Sequence, residues 1–232
     1  MKKNVFILLT CFIFCFLIGC KTSNNETITD VPEKIIATED TIVLTVEPGE
    51  YWQSKLKVFI FSIDSTPQMA AWIENEQGQY ISTVAITNRT ANKAFKGAPK
   101  GLVVEALPVW NHLQQNNPEQ NNLDAVSTAT PMGTVEVRID KRQFTDGNTY
   151  YVLLEINSGS DYNEYWTRKK TGQNGQPSVI YRAQFTTESS GFIDLEPVGY
   201  GSVDGSNGNI TYELDTLTTA LQILKNVYLT IK

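Results

Sequence analysis

From residue 41 onward the chain is built of short runs in which apolar and polar residues tend to alternate with a period of two. This is the feature that most limits its fold. The runs are 41–47 (TIVLTVE), 55–64 (KLKVFIFSID), 69–75 (MAAWIEN), 80–87 (YISTVAIT), 133–140 (GTVEVRID), 149–157 (TYYVLLEIN), 178–187 (SVIYRAQFTT) and 227–232 (VYLTIK). They are rich in Val, Ile, Tyr and Thr, whose branched or aromatic side chains suit a pleated surface. Gly, Asn, Asp and Pro punctuate the gaps, and 75–79 (NEQGQ) reads as a hairpin loop. No helical stretch alternates with the runs, which argues for a mainly β, antiparallel sandwich rather than a parallel sheet. In 69–75, alternation puts Ala70, Trp72 and Glu74 on one face and Met69, Ala71 and Ile73 on the other. Trp72 is expected to be buried, with Glu74 at the strand end where the pleat reaches water.

One or two short helices are expected beside the strands. The first falls within 101–115, where Pro108 either opens a short helix at its first position or kinks a longer one. Trp110 and Leu113, three residues apart, then face the sheet. The second candidate is 216–225, and 114–122 (QQNNPEQNN) reads as a polar loop.

The N-terminus is of a different kind. Lys2 and Lys3 precede an almost unbroken apolar stretch, 5–18, too short for a transmembrane helix, which needs roughly 20 such residues. It ends in Leu17-Ile18-Gly19-Cys20, which resembles the bacterial lipobox. A small residue there admits the peptidase, and the Cys20 thiol accepts diacylglycerol. The expected organisation is a signal peptide over 1–19, a flexible tether over 20–40 rich in Thr, Asn, Glu and Asp, and one β-sandwich domain over 41–232. Lys21 is not the aspartate that retains similar lipoproteins in the inner membrane, so the outer membrane is expected, with the domain facing the periplasm or the cell surface.

All three cysteines, Cys11, Cys15 and Cys20, lie in this leader, so the domain is expected to have neither disulfide nor thiolate chemistry. Removing Lys2 and Lys3 with the signal leaves 17 basic against 25 acidic side chains, a formal −8. An acidic chain without a basic run argues against nucleic acid, whose phosphates need clustered Lys and Arg.

Chemistry-bearing residues are sparse. His112 is the only histidine, so neither a zinc or copper set nor a Ser-His-Asp triad is expected; it reads as a surface residue of the helix. In 161–166 (DYNEYW), Asp161 and Glu164 stand beside Tyr162, Tyr165 and Trp166. Paired carboxylates with aromatics can bind or cleave sugars, although aromatics are also ordinary core material. The run 204–209 (DGSNGN) lacks the closing glutamate of a calcium loop and reads as a glycine-rich turn.

Three stretches resemble a bacterial family of periplasmic proteins classed as a domain of unknown function. They are 69–86 (MAAWIENEQGQYISTVAI), Trp110 with 123–133 (LDAVSTATPMG), and 135–156 with Asp140, Asp146-Gly147 and 151–155 (YVLLE). The resemblance covers about 41–187 and implies an immunoglobulin-like sandwich without an established activity. Such proteins are often encoded near flavin transferases. Within the second stretch, 124–130 (DAVSTAT) is similar to the Asp-x-x-Ser-Gly-Ala-Thr segment at which FMN is joined by phosphoester in covalent flavoproteins. The resemblance makes Thr130 the acceptor, with Asp124 and Ser127 matching the surrounding pattern. Thr128 in place of Gly, and Pro131 directly after, stiffen a segment that a transferase must grip. Thr130 is therefore expected to remain unmodified.

The leading expectation is a non-enzymatic, lipid-anchored envelope protein that binds or scaffolds another envelope protein. No cofactor is expected of it. The alternatives are an accessory of a periplasmic flavin-linked redox system, carrying or contacting FMN, and a carbohydrate-binding module using Tyr162, Tyr165 and Trp166.

Overall fold

The computed structural model describes residues 36–58, 61–87, 90, 104–117, 126–128, 133–172 and 174–232, with 54–58, 61–65 and 126–128 described by their backbone. Twelve strands are present among them: β1 (Thr41–Pro48), β2 (Ser54–Val58), β3 (Phe61–Ser65), β4 (Gln68–Asn75), β5 (Tyr80–Thr87), β6 (Val126–Thr128), β7 (Val135–Asp140), β8 (Thr149–Asn157), β9 (Val179–Thr186), β10 (Gly191–Asp194), β11 (Glu196–Tyr200) and β12 (Leu224–Ile231). One sheet has the order β10-β12-β1-β7 and is antiparallel throughout. The other runs β11-β9-β8-β4-β5-β6, antiparallel except that short β6 adds in parallel to β5. The two pack as a β-sandwich, as the period-two runs predict.

Part of the strand order parallels an immunoglobulin sandwich, whose sheets run A-B-E-D and G-F-C with C′ added in variable-type domains, with no counterpart of D among the described strands. Here β12-β1-β7 take the places of A, B and E, and β9-β8-β4-β5 those of G, F, C and C′. The place of strand A is thus filled by β12, which follows every other strand in the chain. A tyrosine corner marks the start of the F-like strand: Tyr150, second residue of β8, accepts at its hydroxyl from the Thr145 amide at 2.9 Å.

Between the sheets lies the main core. Ile42, Leu44 and Val46 of β1, Val137 and Ile139 of β7, and Leu229 and Ile231 of β12 face Met69, Ala71, Ile73, Val152, Leu154 and Phe185 of the opposite sheet. A second core lies on the other face of the larger sheet. There Ala70, Trp72, Leu153 and Ile180 are covered by Leu107, Val109 and Trp110. The covering element is α1 (Pro108–Asn116), so Pro108 opens a short helix rather than kinking a longer one. Trp110 is buried and Leu113 packs against the same cluster, as their spacing predicts. A second, one-turn helix is α2 (Arg168–Thr171).

Four sequence expectations are corrected. The run 55–64 is two strands, β2 and β3, paired antiparallel with Val58 opposite Phe61. Residues 216–225 hold a 3-10 turn (Thr219–Gln222) and the start of β12, not an α-helix. β6, β10 and β11 lie outside the period-two runs. Glu74, at the strand end, reaches water only in part: it is half-buried and accepts the Trp72 indole N–H at 2.8 Å.

Candidate functional site

The segment 158–178 leaves β8, folds back through α2 and re-enters the sheet at β9. Its shape is set by a tight approach of Gly175 to Asp161, to which it is bridged in parallel. A side chain at Gly175 would meet the Asp161 backbone, and its φ of +73° is one that glycine adopts without strain. Asp161 is half-buried here. Its Oδ1 accepts the Thr219 hydroxyl at 2.6 Å and its Oδ2 accepts Gln176 Nε2 at 2.8 Å. Burial pushes the carboxyl above the usual aspartate range, while these two bonds pull it down.

Asn163 organises the aromatics. Its Oδ1 accepts the backbone amides of Tyr165 (2.9 Å) and Trp166 (2.7 Å). Its Nδ2 donates to Gln176 Oε1, to the Thr216 carbonyl and to the Thr218 hydroxyl. Gln176, nearly fully buried, also accepts the Thr218 amide at 2.7 Å. The loop 158–178 and the segment 214–219 are thereby locked together. Trp166 packs on the main core and donates its indole N–H to Thr216 Oγ1 at 3.1 Å.

Of the three expected ligand-binding aromatics, the structure brings two together. Tyr165 stands edge-on to Trp166 at 4.8 Å between centroids, and Trp166 edge-on to Tyr200 at 5.6 Å. Tyr162 is turned to a different partner, its hydroxyl donating to the Gly172 carbonyl at 2.8 Å. Tyr165 is 50% exposed, with Lys170 Nζ 4.2 Å from its ring centroid. Glu164 points to solvent while Asp161 is bonded inward.

His112 is half-buried rather than on the open surface, a ring nitrogen lying 2.9 Å from the Gly205 carbonyl oxygen. The 204–209 segment is a turn in which Asp204 and Asn207 accept from the amides of Ser206 and Asn209. Among the described residues no group of three or more His, Cys, Asp or Glu is arranged to hold a metal. Cys20, Asp124 and Thr130 lie outside the described residues. Ser127 is described by its backbone, which pairs with Ile86 in β6.

Sequence reasoning passed over one buried ionisable group. Glu155 of β8 is fully buried beneath the start of α1. Its Oε2 accepts the Trp110 amide at 2.8 Å, and its Oε1 accepts the Ser178 hydroxyl at 2.6 Å and the Val109 amide at 3.3 Å. α1 has no side-chain cap of its own at Leu107, so a residue distant in sequence caps it. Burial pushes the Glu155 carboxyl up to about 7, against the lowering effect of those three donors. A glutamate inside the apolar run YVLLEI was the available signal.

No family model, curated protein or solved structure matches this chain.

Proposed function

We propose that this chain is a lipid-anchored envelope protein whose β-sandwich binds or scaffolds another envelope protein without performing catalysis. The anchor is Cys20, and the resemblance of 69–86, 123–133 and 135–156 to the periplasmic family supports the same setting. One observation carries the binding role. The polar groups of 161–166 are spent on fastening two segments together, which makes a rigid surface feature with Tyr165 on its outside. A half-exposed tyrosine on a rigid support contributes contact area with little loss of side-chain freedom, as at many protein interfaces.

The test is capture of the native protein from detergent-solubilised membranes, beside Tyr165→Ala. A protein retained by the parent and lost by the variant supports the reading. Retention of both forms on immobilised envelope polysaccharide, with no protein partner, replaces it with the carbohydrate reading.

A further inference from the structure

α2 carries Arg168, Lys169 and Lys170 on its single turn, all three exposed. The turn is pinned at both ends. Thr171, buried at its base, donates its hydroxyl to the Thr167 carbonyl at 3.2 Å, and the Gly172 carbonyl accepts the Tyr162 hydroxyl at 2.8 Å. Just beyond, Asn174 Nδ2 donates to the Val203 carbonyl at 3.2 Å. Three like charges are thus carried side by side on a fixed backbone.

Their charge is not neutralised from within the domain. Among the described residues, Arg168 and Lys169 have neither a side-chain hydrogen bond nor an ion pair, and no carboxylate oxygen lies within 4.0 Å of the side-chain nitrogens of the three. The two acids of the same loop do not serve. Asp161 is bonded inward to Thr219 and Gln176, and Glu164, although exposed, pairs with none of the cations. Lys170 lies over the Tyr165 ring instead. Arg142, also exposed, gives the contrast: it is bonded to Asp140 at 2.8 Å.

We propose that α2 and Tyr165 form one docking surface for an acidic patch on the partner protein, an inference that rests on the binding role proposed above. Arg168 offers a planar fork that takes a carboxylate by two parallel bonds, and the two lysines act as point charges. Tyr165 adds apolar contact area beside them. The occupant is a protein rather than an anionic lipid surface. Acidic side chains outnumber basic ones by 25 to 19 in the chain, so a plane of lipid charge facing the whole domain repels more of it than it attracts. A compact acidic patch meets only this turn, because charges farther than about 8 Å away are largely screened at physiological salt. One turn with three cations is also far from the extended basic surface that a nucleic acid requires.

The test is carbodiimide coupling in membranes that hold the full-length protein. The reagent activates a carboxylate, a lysine amine in contact displaces it to form an amide, and the reagent leaves as a urea holding the elements of water. Peptide mass spectrometry should find Lys169 or Lys170 joined to Asp or Glu of one other protein. That product should disappear as salt is raised from about 0.1 M to about 1 M, which shortens the screening length from about 10 Å to about 3 Å. The triple variant Arg168→Gln, Lys169→Gln, Lys170→Gln alters exposed side chains alone, and should reduce capture of that protein from detergent-solubilised membranes by roughly tenfold, as three exposed ion pairs acting together would. Joining of these lysines only to carboxylates of this chain, or to none, overturns the proposal. So does their protection from acetylation when the purified protein sits in phosphatidylglycerol vesicles but not in phosphatidylcholine ones, which assigns the turn to lipid. A partner lost in Tyr165→Ala yet kept in the triple variant removes the charged surface and leaves the binding role standing. A partner lost in neither removes both.

Discussion

Trp72 and Glu74, two residues apart on β4, share its outer face and satisfy each other, the indole N–H donating to Glu74 Oε1 at 2.8 Å. Trp72 is fully buried beneath α1, in the second core rather than between the sheets. Trp72→Ala is expected to lower stability by about 3–5 kcal/mol, the usual range for a large aromatic truncated in a core. Trp72→Phe keeps most of the apolar contact but strips Glu74 of its donor, and should fall between the two. Urea denaturation midpoints of the three proteins check the order.

Asn163→Ala removes a side chain that bonds Tyr165, Trp166, Gln176, Thr216 and Thr218 at once. Leaving half-buried donors and acceptors unmatched costs about 1–3 kcal/mol. The loss should come with faster proteolysis within 158–178, read by mass spectrometry of the first cleavage products.

Asp161 supplies a pH dependence of its own. Its folded carboxyl titrates above its ordinary value of 3.8, so the folded state holds a proton that the unfolded chain gives up as pH rises. Its contribution to stability therefore falls as pH climbs from about 4 through the folded value. Asp161→Asn cannot titrate, so relative to the parent it should gain ground over that interval. Thermal melts at pH 4 and pH 7 give the comparison, and a constant difference would count against the assignment.

On the proposed lipoprotein reading, in which acylation of the thiol precedes cleavage and supplies the anchor, Cys20→Ala should yield protein that is unprocessed or no longer retained by the membrane. One acyl chain alone gives only marginal membrane binding, so the full set attached at this cysteine is required. Fractionation and gel mobility read the result, and normal maturation of the variant would remove the anchor from the account.

Thr130 should carry no flavin. Intact mass of the protein co-expressed with its host's flavin transferase is expected to match the sequence. A gain of one FMN phosphoester that is absent from Thr130→Ala would put the redox reading first.

The strands were legible because a sandwich face imposes a period of two on whatever residues build it. The second core was legible only in hindsight. The consecutive residues 69–73 (MAAWI) are all apolar, as expected of a strand buried on both faces, and a period of two alone does not distinguish that from one buried face. Glu155 escaped because glutamate is ordinarily a surface residue, and its partners lie 45 positions away at Trp110 and 23 away at Ser178. The lock formed by Asn163 and Gln176 was invisible for a similar reason: Thr216 and Thr218, which complete it, come some 50 residues later. β10 and β11 are short and contain Gly or Pro, so neither builds an alternating run long enough to read.

The place of β12 also governs how such a molecule is made. It lies between β10 and β1, and its Thr230 pairs with Val43, 187 residues earlier in the chain. Pairing across so long a loop comes late, because the loop must close before any contact repays the ordering. Until residues 224–231 are made, the emerging chain presents β1 without that neighbour, and an open strand edge is a template for aggregation. That interval is the one in which a holding chaperone matters most, and a chain cut short before Leu224 never leaves it.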